Sequence, residues 1–295
     1  MKQIKRVLAH WNITDFSVAE RYHENMERIM CRIETEDSAY FLKGIPREKG
    51  ETTIRGNVLA HECLGNQRHM APAILRTSDC HSYIAQDEHW FYLMEYIVGK
   101  NLEETEADEY ALGQLAAKLH SIREYTYPSG LNQDKSRFYG WFEEKPFKAE
   151  FDRILDGLPD FSEQEQCFIH SDLGPHNAMR RDNGEVILID LDDAGIGSKY
   201  LDLGWAFIMQ FVDFNHQSGE MRYRFDLALA FLRGYYGERP LTQAEYDLIW
   251  QGAVFMHISY MQVYGPDAVD SLWQILKFGM NKKEELWEQW HRKRI

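Results

Sequence analysis

The sequence has no apolar run long enough to cross a bilayer. Stretches such as Trp205 to Met209 and Ala253 to Met256 fall far short of the roughly 20 residues a membrane-spanning helix needs. Near the start, Lys2, Lys5 and Arg6 are followed only by Val7, Leu8 and Ala9 before His10. That is too short for the apolar centre of a secretory signal, so none is expected. Cysteine is scarce and scattered, at positions 31, 63, 80 and 167. No C-x-x-C pair exists, which argues against a paired-cysteine zinc or redox motif. Free thiols in a reducing cytosol are the expectation, and with them a cytoplasmic location. Positive charge is also short. Residues 1–100 carry 13 Lys and Arg against 14 Asp and Glu; residues 101–295 carry 20 against 33. Nucleic acid as a partner is therefore disfavoured, because it would need a basic face. The acidic second part suits a cationic small molecule drawn by the local field, and serves solubility equally well. No G-x-x-x-x-G-K-[ST] loop occurs, and Gly195-Ile196-Gly197 completes no G-x-G-x-x-G fingerprint. No serine nucleophile elbow and no internal repeat is present.

What is present centres on Cys167 to Gly204. An apolar run, Cys167 to Ile169, leads into His170-Ser171-Asp172, and Asn177 follows five residues after Asp172. Asp182-Asn183-Gly184 is a turn signal, since Asn-Gly readily takes positive φ. Val186 to Ile189 reads as a buried strand that delivers Asp190. A hairpin across that turn brings Asn177 and Asp190 side by side, with Asp172 on the loop leading in. Two carboxylates and a carboxamide form an oxygen-rich set suited to Mg²⁺, which takes one or two carboxylates together with phosphate oxygens and waters. A carboxylate beside such an ion can orient a hydroxyl and accept its proton.

His-x-Asp-x-x-x-x-Asn, a hairpin and a strand-borne Asp resemble the catalytic and metal segments of protein kinases. The fuller strings H-S-D-L-G-P-H-N, L-I-D-L-D-D-A and Y-L-D-L-G resemble more closely the aminoglycoside phosphotransferase and choline kinase group. That resemblance implies an α+β, two-lobed protein-kinase-like fold. An N-terminal antiparallel sheet lobe, residues 1–97, would be followed through a hinge at about 94–99 by a mostly helical lobe, 98–295. It implies ATP and Mg²⁺, with Asn177 and Asp190 as metal ligands and Asp172 as the catalytic carboxylate. His170 and Asp202 would brace the catalytic loop.

The first hundred residues are read against the same resemblance. Arg28 to Glu34 alternates as a half-buried strand, and Ala39 to Lys43 pairs with it across Glu36-Asp37-Ser38. Lys43 then corresponds to the phosphate-reaching lysine. Glu51 to Leu64 reads as a helix with Ile54, Val58 and Glu62 on one face. The family's lysine-holding Glu would be Glu62, or secondly Glu51; either could instead be a solvated residue. Ser82 to Gln86 and Trp90 to Glu95 form a hairpin ending in F-Y-L-M-E-Y-I-V-G, which resembles the kinase hinge. The Glu95 carbonyl and the Ile97 N–H would hold adenine, with Met94 behind it. No Gly-rich phosphate loop lies between Val18 and Arg28, where His23-Glu24-Asn25 reads as a loop.

Past the hinge, Glu103 to Glu109 reads as the solvated start of a helix that runs through L-G-Q-L-A-A-K-L-H, with His120 a core or capping residue rather than a ligand. Phe147 to Leu158 is a second helix. Asp192 and Asp193 could help bind Mg²⁺, face a cationic substrate or lie on a solvated loop. Further helices are expected at Trp205 to Phe214, Met221 to Tyr236, Gln243 to Tyr264 and Asp267 to Arg292, broken at Gly265-Pro266 and closed by a basic end. Three functions follow: an ATP-dependent phosphotransferase acting on an aminoglycoside or similar cationic antibiotic; a kinase of a hydroxyl metabolite of choline, homoserine or sugar type; or a kinase-shaped binding protein without turnover.

Overall fold

The computed structural model describes residues 2–22, 28–215, 217–264 and 268–292. The expected loop at His23-Glu24-Asn25, the break at Gly265-Pro266, the helix start at Asp267 and the final Lys293-Arg294 lie outside them. In chain order the elements are α1 (Lys2–Leu8), β1 (Ser17–Arg21), β2 (Ile29–Glu34), β3 (Ala39–Pro46), α2 (Glu51–His61), β4 (Ile74–Leu75), β5 (Ile84–Gln86), β6 (His89–Glu95) and β7 (Gly99–Asn101). Then follow α3 (Glu106–Leu119), α4 (Lys148–Gly157), β8 (Gln166–Ile169), β9 (Ala178–Arg181), β10 (Val186–Leu188) and β11 (Gly195–Ser198). Last come α5 (Lys199–Met209), β12 (Val212–Phe214), β13 (Met221–Tyr223), α6 (Phe225–Tyr236), α7 (Gln243–Val263), α8 (Val269–Met280) and α9 (Lys283–Arg292).

Two compact units form: Met1–Lys100 with Met179–Ala194, and Asn101–Ala178 with Gly195–Ile295. The simple cut at residue 97 therefore differs from the packing in one respect. The hairpin that delivers Asp190 belongs with the first unit, while Asp172 and Asn177 belong with the second.

The first unit is built on an antiparallel sheet, order β1-β2-β3-β6-β4, with β5 also paired to β6. Side chains on a strand alternate between faces, and β6 has apolar groups on both. Phe91 and Leu93 join Cys31, Ile33 and Leu42 under Ile4, Val7 and Leu8 of α1. Tyr92 and Met94 join Ile45 and Ile74 under Ile54 and Val58 of α2. Helix α1 was not anticipated; its seven residues carry only three apolar anchors. The β9–β10 turn forms at Asp182-Asn183-Gly184, with Gly184 at φ 87°. The Arg181 N–H donates to the Glu185 carbonyl at 2.8 Å.

The second unit rests on two close helix crossings, each needing glycine. A Cβ on Gly113 of α3 would lie 2.2 Å from the Phe231 carbonyl oxygen of α6. One on Gly252 of α7 would lie 2.0 Å from the Tyr200 carbonyl oxygen of α5. No side chain fits there, so backbone meets backbone. These contacts give the L-G-Q-L-A and Y-L-D-L-G segments a packing role. The helix expected over Trp205 to Phe214 stops at Met209, because the Phe211 N–H reaches back to the Ala206 carbonyl at 2.9 Å. Such an i to i−5 bond closes a helix end. Val212–Phe214 then pairs antiparallel with Met221–Tyr223, so the helix expected from Met221 begins at Phe225. Among the described residues no helix is long and apolar enough to cross a membrane.

Glu109 departs from the solvated helix start expected of it. Thr105 caps α3, its side chain accepting from the Asp108 N–H. One turn on, Glu109 is fully buried and accepts a hydrogen bond from the Gln210 amide. Burial pushes its carboxyl up to about 8, with Glu104 and Asp108 adding to the rise and the Gln210 bond and Arg224 opposing it. The folded protein therefore holds a proton that the unfolded chain releases near the ordinary Glu value. Stability from this group is present at acidic pH and is lost as pH rises through about 8. Thermal midpoints are expected to fall between pH 5 and pH 9, and Glu109→Gln should flatten that part of the profile. An unchanged slope in the variant would refute the assignment.

Candidate active site

In the second unit, β8 ends at Ile169 and the chain turns sharply. Ser171 takes φ 75°, in the left-handed region. The turn is held by Asp202 in the first turn of α5, itself without solvent exposure. Its two carboxylate oxygens accept the His170 and Ser171 N–H groups, each at 2.6 Å. His120 Nε2 lies 3.1 Å from the same carboxylate, and its Nδ1 lies 3.1 Å from the Tyr235 hydroxyl. A buried acceptor with three donors fixes the loop that presents Asp172.

Asp172 is met on both oxygens. Asn177 Nδ2 donates to Oδ2 at 2.9 Å and to the Asp172 backbone carbonyl at 3.0 Å. His176 Nε2 lies 3.4 Å from Oδ2. The Tyr260 hydroxyl donates to Oδ1 at 3.2 Å. Burial pushes the Asp172 carboxyl up, but the hydrogen bond and field of His176, the field of His170 and the Tyr260 hydroxyl outweigh it. The net value lies below the ordinary carboxylate range, so the group is ionised at neutral pH. Trp205 packs against both His176 and Tyr260, and Tyr260 stacks on the exposed Tyr264. Gly174 makes this arrangement possible: a Cβ there would lie 2.6 Å from the His176 ring and 2.9 Å from Trp205. The roles of His176 and Tyr260 beside Asp172 were not visible in sequence; Tyr260 is 88 positions away.

In the first unit, Lys43 is buried on the α2 side of β3, opposite Tyr92 in the β3–β6 register. Its Nζ donates to Asp190 at 2.8 Å and to Asp192 at 2.6 Å. Burial works against its charge; the fields of Tyr92, Asp192 and Asp190 outweigh it, and the net shift is upward. The Tyr92 phenol is itself pushed up by burial and is neutral at pH 7, so the two carboxylates hold the ammonium. Asp190 takes φ 55°, a conformation that Asp tolerates better than most residues. Asp192 also accepts from Asn57 Nδ2 of α2 at 3.1 Å and pairs with Arg28 at 3.1 Å.

Neither glutamate proposed for Lys43 is beside it. Glu62 accepts from Arg76 at 2.8 Å and from the Ser82 hydroxyl at 2.5 Å, and Glu51 accepts from the Tyr83 hydroxyl at 2.8 Å. The reason is helical pitch. Four residues turn 400°, so position i+8 drifts about 80° from i. The buried face of α2 runs instead through Ile54, Asn57, Val58 and His61, and a π-type turn begins at Glu62. A polar residue three positions after Ile54 was the available signal for Asn57. At the hinge, the Glu95 N–H donates to the Ala73 carbonyl at 2.9 Å, and the Glu95 side chain pairs with Arg181 at 2.7 Å. Ile97 is buried, and its N–H has no hydrogen-bond partner among the described residues.

The donor set fits a hard cation. The Asp190 side chain is half-exposed, and carboxylate oxygen is the donor a hard cation takes. Among the described residues no group of three or more His, Cys, Asp or Glu is placed to hold a metal by itself. Mg²⁺ commonly completes its shell with waters and phosphate oxygens.

Residues 30–241 match the model of a family described as the phosphotransferase enzyme family. An uncharacterized protein of Deinococcus radiodurans is 27% identical over 230 residues, covering 70% of this chain and 65% of that protein. The chain thus spans about two-thirds of the length of that curated relative. Among solved structures, a microcompartment-associated aminopropanol kinase superposes with a TM-score of 0.64 at 16% identity, covering 95% of this chain and 94% of the other. A protein of Ralstonia eutropha described as a putative aminoglycoside phosphotransferase gives 0.63 at 15% identity, covering 99% and 98%. At these identities the structural likeness establishes the kinase-like phosphotransferase fold.

Proposed function

We propose that this chain, which belongs to the phosphotransferase enzyme family, moves the γ-phosphate of ATP to a hydroxyl of a small cationic molecule. The observation that carries this reading is the state of Asp172: ionised, held on a braced loop, and already accepting a hydrogen bond from the Tyr260 hydroxyl. An acceptor hydroxyl on that carboxylate would be oriented for in-line attack and would pass its proton to it. With a depressed pKa the carboxylate is a weak base, so orientation is its main contribution. That suits phosphoryl transfer, where positioning and electrostatics dominate.

Lys43 supplies positive charge to the phosphates. The Glu95 carbonyl and the Ile97 N–H bind adenine through backbone atoms alone. Asn177 and Asp190 would hold Mg²⁺, which when bound neutralises phosphate charge. Asp190→Ala is expected to weaken Mg²⁺-dependent ATP binding by roughly tenfold to a hundredfold, read by calorimetry with and without Mg²⁺. Unchanged binding would remove Asp190 as a ligand.

An aminoglycoside or similar cationic antibiotic is the first substrate reading, supported by the acidic charge of residues 101–295. The aromatic group Trp205, Tyr260 and Tyr264 beside Asp172 favours a second, a small amino alcohol, because aromatic faces attract ammonium groups. The test is transfer from Mg-ATP to a panel of aminoglycosides, amino alcohols, homoserine and sugars, read by product mass. Phosphate gain on one class decides the substrate. No gain on any class, with ATP still bound, would overturn the transferase reading in favour of a binding role. A cytoplasmic site of action follows from ATP as the donor.

A further inference from the structure

Lys43 presents a problem of charge. It is a nearly fully buried ammonium, and a buried charge is stable only when paired and hydrogen-bonded. Its two partners differ in kind. The Asp190 side chain is 49% exposed and the Asp192 side chain 14%. Asp192 is anchored from three directions. Oδ1 receives Lys43 from β3 and Asn57 from α2, and Oδ2 receives Arg28 from the segment entering β2. The two glutamates at the ends of α2 are engaged elsewhere, Glu51 by Tyr83 and Glu62, just past the helix, by Arg76 and Ser82.

We infer that Asp192 is the positioning residue for Lys43, tied to α2 through Asn57, and that it does the work the sequence resemblance assigned to Glu62. The division of labour follows from exposure. Asp190 is the more exposed of the two, and an ion that drew its carboxylate off Lys43 would leave the buried ammonium still paired to Asp192. If Asp192 leaves, Lys43 keeps only the more exposed Asp190, and Asn57 and Arg28 lose the acceptor they share with it. Asn57 also explains how α2 can take part without an acidic residue on its buried face: the helix contributes a neutral donor, and the loop after β10 contributes the charge.

The inference rests on the nucleotide-binding reading of Lys43, and two measurements separate its failure from that of the reading. The first needs no nucleotide. Thermal midpoints are compared for Lys43→Met, Asp192→Asn, and both together. Each single substitution should lose roughly 5 °C or more, and the double should lose clearly less than the two losses combined, since contacting residues are non-additive. Glu62→Gln combined with Lys43→Met should be additive. The second measurement is ADP affinity in EDTA. Asp192→Asn should weaken it about tenfold, as Lys43→Met does, with no further loss in the double variant; Asp192→Glu should recover part of it. A purely structural role would lower the midpoint and leave affinity unchanged. Additive midpoints, or unchanged ADP affinity in Asp192→Asn, would overturn the inference. If the unmodified protein fails to bind ADP, the nucleotide reading falls, and the midpoint cycle alone decides whether Asp192 anchors Lys43.

Discussion

Asp172→Asn is expected to lower phosphoryl-transfer turnover by about 10²- to 10⁴-fold, equivalent to about 3–5 kcal/mol of barrier, with ADP affinity nearly unchanged. The substitution keeps the shape of the side chain. It removes the charge that would accept the acceptor's proton and places an NH₂ group among donors. Asn177 Nδ2, His176 Nε2 and the Tyr260 hydroxyl all face the carboxylate. One of them must lose its acceptor or rotate away. Because the Asp172 carboxyl is depressed, the acid limb of the kcat profile should lie below the ordinary carboxylate range, with a plateau through neutral pH. The sign is fixed: the ionised form is the active one, so activity falls as pH drops through its pKa. Turnover of Asp172→Asn within tenfold of the unmodified protein would end the assignment.

The parts of this molecule that were legible in sequence are those whose signals are local. The hairpin at Asp182-Asn183-Gly184 was readable because Gly184 must take positive φ. The alternation around Ile29, Cys31 and Ile33 marks β2, and the turn after Gln86 marks the hairpin of β5 and β6. The loop from His170 to Asn177 was readable because its polar residues follow a fixed spacing. The remainder is set by distance or by pitch. Tyr260 reaches Asp172 from α7, and no spacing in the chain announces that contact. Asn57 carries no charge to mark it, and Glu62 falls off the buried face of α2 because that face follows threes and fours together. Glu109 looked solvated because its neighbours Glu103, Glu104, Glu106 and Asp108 are acidic; one turn inside the helix, its side chain faces Gln210 instead. The two-stranded ribbon of β12 and β13 takes up the end of one expected helix and the start of the next, and the backbone bond from Phe211 to Ala206 closes α5 before it.

Asp202→Ala is expected to damage both stability and turnover, for reasons that can be separated. The carboxylate is the acceptor for two backbone N–H groups and for His120, all in a site without solvent exposure. Each buried donor left without an acceptor costs about 1–3 kcal/mol, so a loss of about 4 kcal/mol is expected. That is a large share of the 5–15 kcal/mol typical of folded domains, and the thermal midpoint should drop by roughly 10 °C. Turnover should fall for a geometric reason. Ser171 keeps its left-handed conformation because Asp202 holds its N–H. Released, the loop can relax, and a displacement of about 1 Å at Asp172 is enough for a loss on the order of a hundredfold. Working well below the lowered midpoint isolates this second effect, since the folded fraction is then complete. ADP affinity is the control, because Lys43, Asp190, Asp192 and the hinge backbone are in the other unit. A fall in kcat with ADP affinity retained identifies Asp202 as the brace of the Asp172 loop. A loss of stability with kcat intact would mean that the loop holds its shape through Asn177 and Tyr260 alone, and that Asp202 serves the core.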